Sequence, residues 1–211
     1  YAYLEEAFPE EGFSARAVQF LEQSVEQMVS HAITPDLYSG STGIAWALLH
    51  LGAADPDESG VDPLAHIDSV LLDYVKQSPW KGQYDLISGL VGTGIYALES
   101  FPKESARVCL ENVIERLSEL AVDVDGEVVW KTPPELLPDW QREVSPEGYY
   151  NLGLAHGIPG VWGVLAQAAT EDVCEERCVS LLEKSVPWVL DQYLEESKGF
   201  PAWITIGNPS D

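Results

Sequence analysis

Basic residues are scarce in this 211-residue chain: 11 Lys and Arg stand against 35 Asp and Glu, leaving a formal charge of −24. A field of that sign repels phosphate backbones and argues against nucleic-acid binding. It suits a solvated surface, including one adapted to high salt, or a basic peptide partner, although no segment locates such a partner. Cysteine is scarce as well. Three of them, an odd number, argue against a disulfide framework and for a reducing, cytoplasmic setting. No run approaches the roughly 20 apolar residues of a membrane span. No signal-peptide pattern follows Tyr1, and no initiator Met precedes it, so the chain reads as trimmed. Apolar residues, by contrast, make up 45% of the chain, enough for a packed core.

The glycines are patterned. Asp36-Leu37-Tyr38-Ser39-Gly40-Ser41-Thr42-Gly43 returns as Asp85-Leu86-Ile87-Ser88-Gly89-Leu90-Val91-Gly92, and again as Leu154-Ala155-His156-Gly157-Ile158-Pro159-Gly160. Each is a G-x-x-G step opening into a small, apolar run. The spacing of the leading glycines lengthens from 49 to 68 residues, and a period of this size signals a repeat architecture. Where two copies carry Ser39 and Ser88, the third carries His156.

Between the repeats the periodicity predicts amphipathic helices. The first has Ser14 as its N-cap, Phe13 stapling to Val18, and Ala17, Phe20, Leu21, Val25 and Met28 on its apolar face. Asp62-Pro63 marks the start of the second, with Leu64, Ile67, Leu71, Tyr74 and Val75 inward. The third begins near Pro102 and buries Ala106, Cys109, Leu110, Val113, Leu117 and Leu120. The fourth runs from about Asp172 with Cys174, Cys178, Leu181, Val189 and Tyr193 inward, and Pro187 is expected to kink or split it. The runs Ile44–Leu49, Gly94–Leu98 and Val161–Ala169 are apolar nearly all round, so they must be enclosed. Alternation of amphipathic and enclosed helices predicts an all-α fold, an α/α toroid with an inner and an outer ring. Glycine at each inner helix start permits close approach and gathers three helix N-termini at one end, where an anion, a thiolate or a polarised carbonyl is favoured. Val122–Trp130, with Asp125-Gly126 between alternating residues, predicts a small β-hairpin near 122–130. The Pro-rich stretch Thr132–Pro146 reads as a loop, and no domain boundary is evident.

With these three motifs in order, including Tyr84-Asp85 before the second and Ala155-His156-Gly157 in the third, the chain resembles the lanthionine synthetase C family, the cyclases of lanthipeptide biosynthesis. The resemblance covers residues 1–211 as a single partial toroid domain, about the first half of a family domain. It implies zinc-dependent addition of peptide cysteine thiols to dehydroalanine or dehydrobutyrine, closing thioether rings. It further implies a catalytic acid at His156 and a carboxylate of the site at Asp85. The expected partners are a dehydrated precursor peptide and a dehydratase. The family's zinc-ligand motifs, Trp-Cys-Tyr-Gly and Cys-His-Gly, do not occur here, nor does its active-site Arg. The chain therefore reads as an N-terminal fragment holding no metal or other cofactor, inactive alone, with zinc expected in a full-length member. The open ring edges should favour self-association.

Each residue also has a plainer reading. His156 can cap or pack at a helix start, but serine serves that position twice, and only imidazole titrates near neutrality. Asp85 has a counterpart in Asp36, which suggests capping. Cys174 and Cys178 share one apolar stripe with no third ligand beside them, so they read as core residues, as does Cys109. His31, His50 and His66 sit in no motif. Two rival functions remain at this level: a non-catalytic member of the same fold that binds a thiol peptide or a protein partner, and an α/α-toroid glycosidase, which needs two facing carboxylates.

Overall fold

A computed structural model describes residues 1–30, 33–52 and 62–207. In chain order the elements are α1 (Ala2–Ala7), α2 (Phe13–Ser30), α3 (Ser41–His50), α4 (Ala65–Val75), α5 (Leu90–Glu99), α6 (Glu104–Leu120), β1 (Ala121–Val124), β2 (Glu127–Thr132), a 3₁₀ turn (Pro134–Leu136), α7 (Asp139–Val144), β3 (Tyr149–Asn151), α8 (Ile158–Thr170), α9 (Glu175–Leu190) and β4 (Trp203–Thr205). The helices led by the repeat glycines lie side by side, α3 against α5 and α5 against α8. Helices α2, α4, α6 and α9 pack around them, giving the expected inner and outer layers.

Enclosure follows the apolar pattern. Leu90, Val91, Gly92, Thr93, Gly94, Tyr96 and Ala97 of α5 are all buried, as are Ile158, Val161, Val164, Leu165 and Ala168 of α8. Gly94 lets these two helices meet, because a Cβ there would lie 2.9 Å from a methyl of Val164. Helix α3 is less enclosed: Ala45 is fully buried, but Ile44, Trp46, Ala47, Leu48 and Leu49 are only half-buried. The outer stripes are placed as their spacing requires. Leu64, Ile67, Leu71 and Val75 are buried on α4, and Ala106, Cys109, Leu110, Val113 and Leu117 on α6. At the start of α4 the Asp62 carboxylate accepts the Leu64 N–H at 2.9 Å and the Lys103 ammonium at 2.8 Å, tying this start to that of α6. The ammonium beside it holds the Asp62 carboxyl below its usual range, against the opposing effect of its partial burial.

Several local expectations are corrected. Helix α1 has no counterpart in the sequence reading. It packs on α2, and its Glu5 carboxylate accepts the Ser14 N–H at 2.7 Å. Ser14 is therefore inside α2 rather than its cap, and Val18 and Phe20 are exposed, with Phe20 stacked on Tyr1. Helix α9 starts at Glu175, after Cys174 in a left-handed conformation (φ 49°), and runs unbroken through Pro187. Tyr193 lies beyond its end, exposed and packed edge-on against Phe200.

The hairpin is real but larger than expected. Asp125 and Gly126, both at positive φ, close the turn, and β2 continues to Thr132. β3 and β4 extend it to a four-stranded antiparallel sheet in the order β1-β2-β3-β4. Two expectations thus change: the stretch from Thr132 to Pro146 contains the 3₁₀ turn and α7, and the sheet recruits Trp203–Thr205, far downstream of the hairpin. The sheet flanks the helices. Its β2 packs on α9, and Trp130, fully buried, donates its indole N–H to the carbonyl of Leu117 at 2.8 Å.

Candidate active site

The three glycine loops are built alike. A Cβ on Gly40, Gly89 or Gly157 would lie 2.1, 2.4 or 2.1 Å from the carbonyl oxygen of the residue six positions earlier, Thr34, Gln83 or Asn151. The second glycines, Gly43, Gly92 and Gly160, press in the same way on the carbonyls of Leu37, Leu86 and Leu154, at 1.9, 2.5 and 2.6 Å. Each G-x-x-G thus lets its preceding loop fold flat onto the first turn of an inner helix, a close approach that no side chain permits. The loops are also joined to one another. The Tyr38 N–H donates to the Ile87 carbonyl and the Leu86 N–H to the Ala155 carbonyl, both at 3.1 Å.

That second link brings Asp85 and His156 together across 71 residues. The Asp85 carboxylate is buried, whereas His156 is 56% exposed at the mouth of the site. His156 Nδ1 and Asp85 Oδ2 are 2.5 Å apart, and Asp85 Oδ1 accepts the Ser88 N–H at 2.8 Å. One Asp85 oxygen thus caps its own loop while the other pairs with the imidazole. With Nδ1–H directed to the carboxylate, the tautomer is set and Nε2 remains without a partner among the described residues. In the first repeat Asp36 is spent differently, its carboxylate accepting the Thr34 hydroxyl at 2.7 Å.

The pair opens on a pocket of about 260 Å³, lined also by Gln83, Ser88, Thr132, Gln141, Tyr149 and the apolar Leu136–Pro138. Asp85 is the one carboxylate lining it among the described residues, which leaves the glycosidase reading without its facing pair. Gln83, Gln141 and Tyr149 are not picked out by the sequence reading. Gln83 carries a faint signal, its place in the repeat matching Thr34 and Asn151. Gln141 carries none, because the pairing of β2 with β3 is what folds its segment over the site.

Sequence and fold comparisons place the chain as a whole among known proteins. The family model of the lanthionine synthetase C-like proteins matches residues 1–211. The chain belongs to that family. Over 192 residues it is 27% identical to the nisin biosynthesis protein NisC of Lactococcus lactis subsp. lactis, covering 86% of this chain and 45% of NisC. The solved structure of a nisin cyclase superposes on 97% of this chain and 53% of its own, with a TM-score of 0.79 and 25% identity. The inner and outer helices are therefore part of a lanthionine synthetase C-like toroid, and the chain spans about half the length of each of these relatives.

Zinc, which the family resemblance implies, is not matched by the residues at hand. Among the described residues no three of His, Cys, Asp and Glu gather as a metal site. Burial pushes the thiol of Cys109 up to about 12 and that of Cys178 to about 11, and it also raises Cys174, which neighbours Glu111. Thiols so disfavoured as thiolates are poor ligands. Cys109 and Cys178 are core residues, as expected, while Cys174 is half-buried at the start of α9. His50 has a structural part, stacked on Trp46 and bonded to Tyr3 and, at 3.1 Å, to Glu99. His31 lies outside the described residues, and no helix among them is long and apolar enough to cross a membrane.

Proposed function

We propose that this chain is the N-terminal part of a cyclase that adds peptide cysteine thiols to dehydroalanine or dehydrobutyrine, closing thioether rings. The single observation that carries this reading is the buried Asp85 carboxylate fixing His156, with the remaining imidazole nitrogen free beside a pocket. Addition of a thiolate to a dehydro residue leaves an enolate that must be protonated at carbon, and a fixed, solvent-reachable imidazole is suited to that step. His156, protonated at both ring nitrogens, is the acid in this reading. Asp85 holds its tautomer and aim while anchoring its own loop through Ser88. The substrate is a dehydrated precursor peptide, and a dehydratase would supply it in the same cytoplasmic setting. Zinc, in a full-length member, would be held by residues other than those described and would lower the thiol's pKa. The steps assigned to this chain are those of its own residues.

The test is cyclisation of a dehydrated precursor by the full-length protein, read by mass spectrometry after thiol alkylation. His156→Ala should keep the helical circular-dichroism signal and the metal content, because serine occupies the same position in two sister loops. Ring closure should fall about 10²–10⁴-fold, the usual worth of a general acid. Near-normal cyclisation by that variant would return His156 to a packing role.

A further inference from the structure

The pocket beside His156 contains a second polar group that the acid–base pair does not use. Gln141, on α7, is half-buried, and its carboxamide oxygen accepts a long, 3.4 Å hydrogen bond from the Tyr149 hydroxyl. With its oxygen end on Tyr149, the amide leaves the Nε2 amino group, with two N–H donors, without a partner among the described residues. The segment carrying it is held in place. Gln83 Nε2 donates to the Leu136 carbonyl at 3.0 Å, and the Arg142 guanidinium donates to the Leu137 carbonyl and to Asp139, both at 3.0 Å. Gln83 precedes Asp85 by two residues, so one stretch of chain positions both the wall of the pocket and the carboxylate behind His156.

Resting on the cyclase reading above, we infer that Gln141 donates a hydrogen bond to the carbonyl oxygen of the reacting dehydro residue. In the addition the thiol loses its proton and its sulfur bonds to the β-carbon. The C=C electron pair then shifts so that negative charge gathers on the carbonyl oxygen. His156, protonated at both ring nitrogens, delivers its Nε2 proton to the α-carbon and the carbonyl re-forms, and the proton lost by the thiol restores the imidazolium. The sum is S–H added across C=C, with no oxidant or reductant. His156 gives its proton to carbon, so the oxygen requires a separate donor where the charge develops. Of the other donors in the pocket, the Thr132 hydroxyl is engaged with Tyr84, the Tyr149 hydroxyl with Gln141 itself, and one of the two Gln83 amide N–H groups with Leu136. The Ser88 hydroxyl and the second Gln83 N–H are the competitors.

Loss of the α-proton from a finished thioether residue passes through the same enolate in reverse and needs no thiol activation. The experiment therefore incubates the full-length protein with a thioether-bridged peptide in D₂O and follows α-deuterium uptake by mass spectrometry. The unsubstituted chain should exceed buffer, and His156→Ala should fall to the buffer rate. Gln141→Met should lose about 10- to 100-fold, somewhat less than the 10²–10³ of a fully enclosed oxyanion donor, without moving the pH profile. Gln141→Glu keeps an acceptor for Tyr149 but removes the donor, and should lose at least as much; circular dichroism checks that both variants fold. Exchange at the unsubstituted rate in either Gln141 variant overturns the inference, as does a displaced pH profile in Gln141→Met or a loss confined to Ser88→Ala or Gln83→Met. If the unsubstituted chain and His156→Ala both exchange at the buffer rate, the cyclase reading falls and this inference with it.

Discussion

At the scale of single residues, Asp85 shows how one buried carboxylate serves fold and chemistry together. One oxygen holds the Ser88 N–H and the other faces the imidazole of His156, so substitutions at this position separate the two roles. Asp85→Asn retains an oxygen for the Ser88 N–H, but its amide nitrogen donates rather than accepts. It therefore favours the imidazole tautomer with Nδ1 unprotonated, and Nε2 no longer presents the same face to the pocket. This variant should unfold within about 1 kcal/mol of the unsubstituted chain while cyclisation drops tenfold or more, less than in His156→Ala. Asp85→Ala loses the cap as well and should cost a further 0.5–2 kcal/mol or so, the usual worth of a lost side-chain cap. Denaturant unfolding and cyclisation rates, measured on the same two variants, check both halves; equal stability for Asn and Ala would show the cap to be idle. The histidine of this pair was legible in the sequence, because its own repeats supply the comparison with serine. Its geometric partner was only half legible, since Asp36 sets a misleading precedent. Gln141 and Tyr149 were not legible at all, because tertiary pairing of strands, rather than any local period, places them at the pocket.

At the scale of elements, the repeat is a device for bending a loop back onto a helix start. The glycine requirement follows from distance, not from unusual torsion: Gly157 has an extended φ of −138°, yet a Cβ there would stand 2.1 Å from the Asn151 carbonyl. Gly157→Ala must displace backbone and should cost about 1–3 kcal/mol or more, as overpacking does. Gly163, five residues inside the same α8, is exposed and has nothing within 4 Å of its added Cβ. Gly163→Ala should stabilise by about 0.5–1 kcal/mol, the ordinary gain in a helix interior. Chemical denaturation of the two variants tests this pairing, and destabilisation of equal size in both would refute the close-approach account. The enclosed and amphipathic helices were legible because hydrophobic period and burial share one physical cause. The misplaced details lie where that cause is weak. Helix α1 is six residues long, too short to show a period. The last strand pairs with a partner more than 50 residues away, and the short α7 meets that sheet through Gln141 and Tyr149. Pro187 falls in the last turn of α9, three residues before its end, where little helix remains to be broken.

At the scale of the whole molecule, two opposing forces act on the surface. Apolar side chains stand exposed together around the end of α9 and the last strand: Tyr193, Leu194, Phe200 and Trp203 are 42, 47, 45 and 36% accessible. Tyr193 packs on Phe200, Leu194 bridges to Gly199, and Tyr193, Leu194 and Trp203 line one shallow cavity, so these are parts of one patch rather than scattered contacts. Contiguous apolar surface of this kind favours association. Against it stands a formal charge of −24, which makes every copy repel every other. The repulsion is long-ranged and screened by salt, reaching only about 3 Å at 1 M, whereas apolar burial is not weakened by screening and is strengthened by sulfate. Salt should therefore decide the outcome. The 211-residue chain should be monomeric at about 50 mM salt and should form dimers or larger species at about 1 M, more so in sulfate than in chloride. Phe200→Glu, which puts a further negative charge into the patch, should shift the transition to higher salt. Light scattering after size-exclusion chromatography across a salt series reads all of this. A monomer at every ionic strength would remove the patch as an association surface. Association at low salt that dissolves on adding salt would mean that ionic contacts, not the apolar edge, hold the copies together.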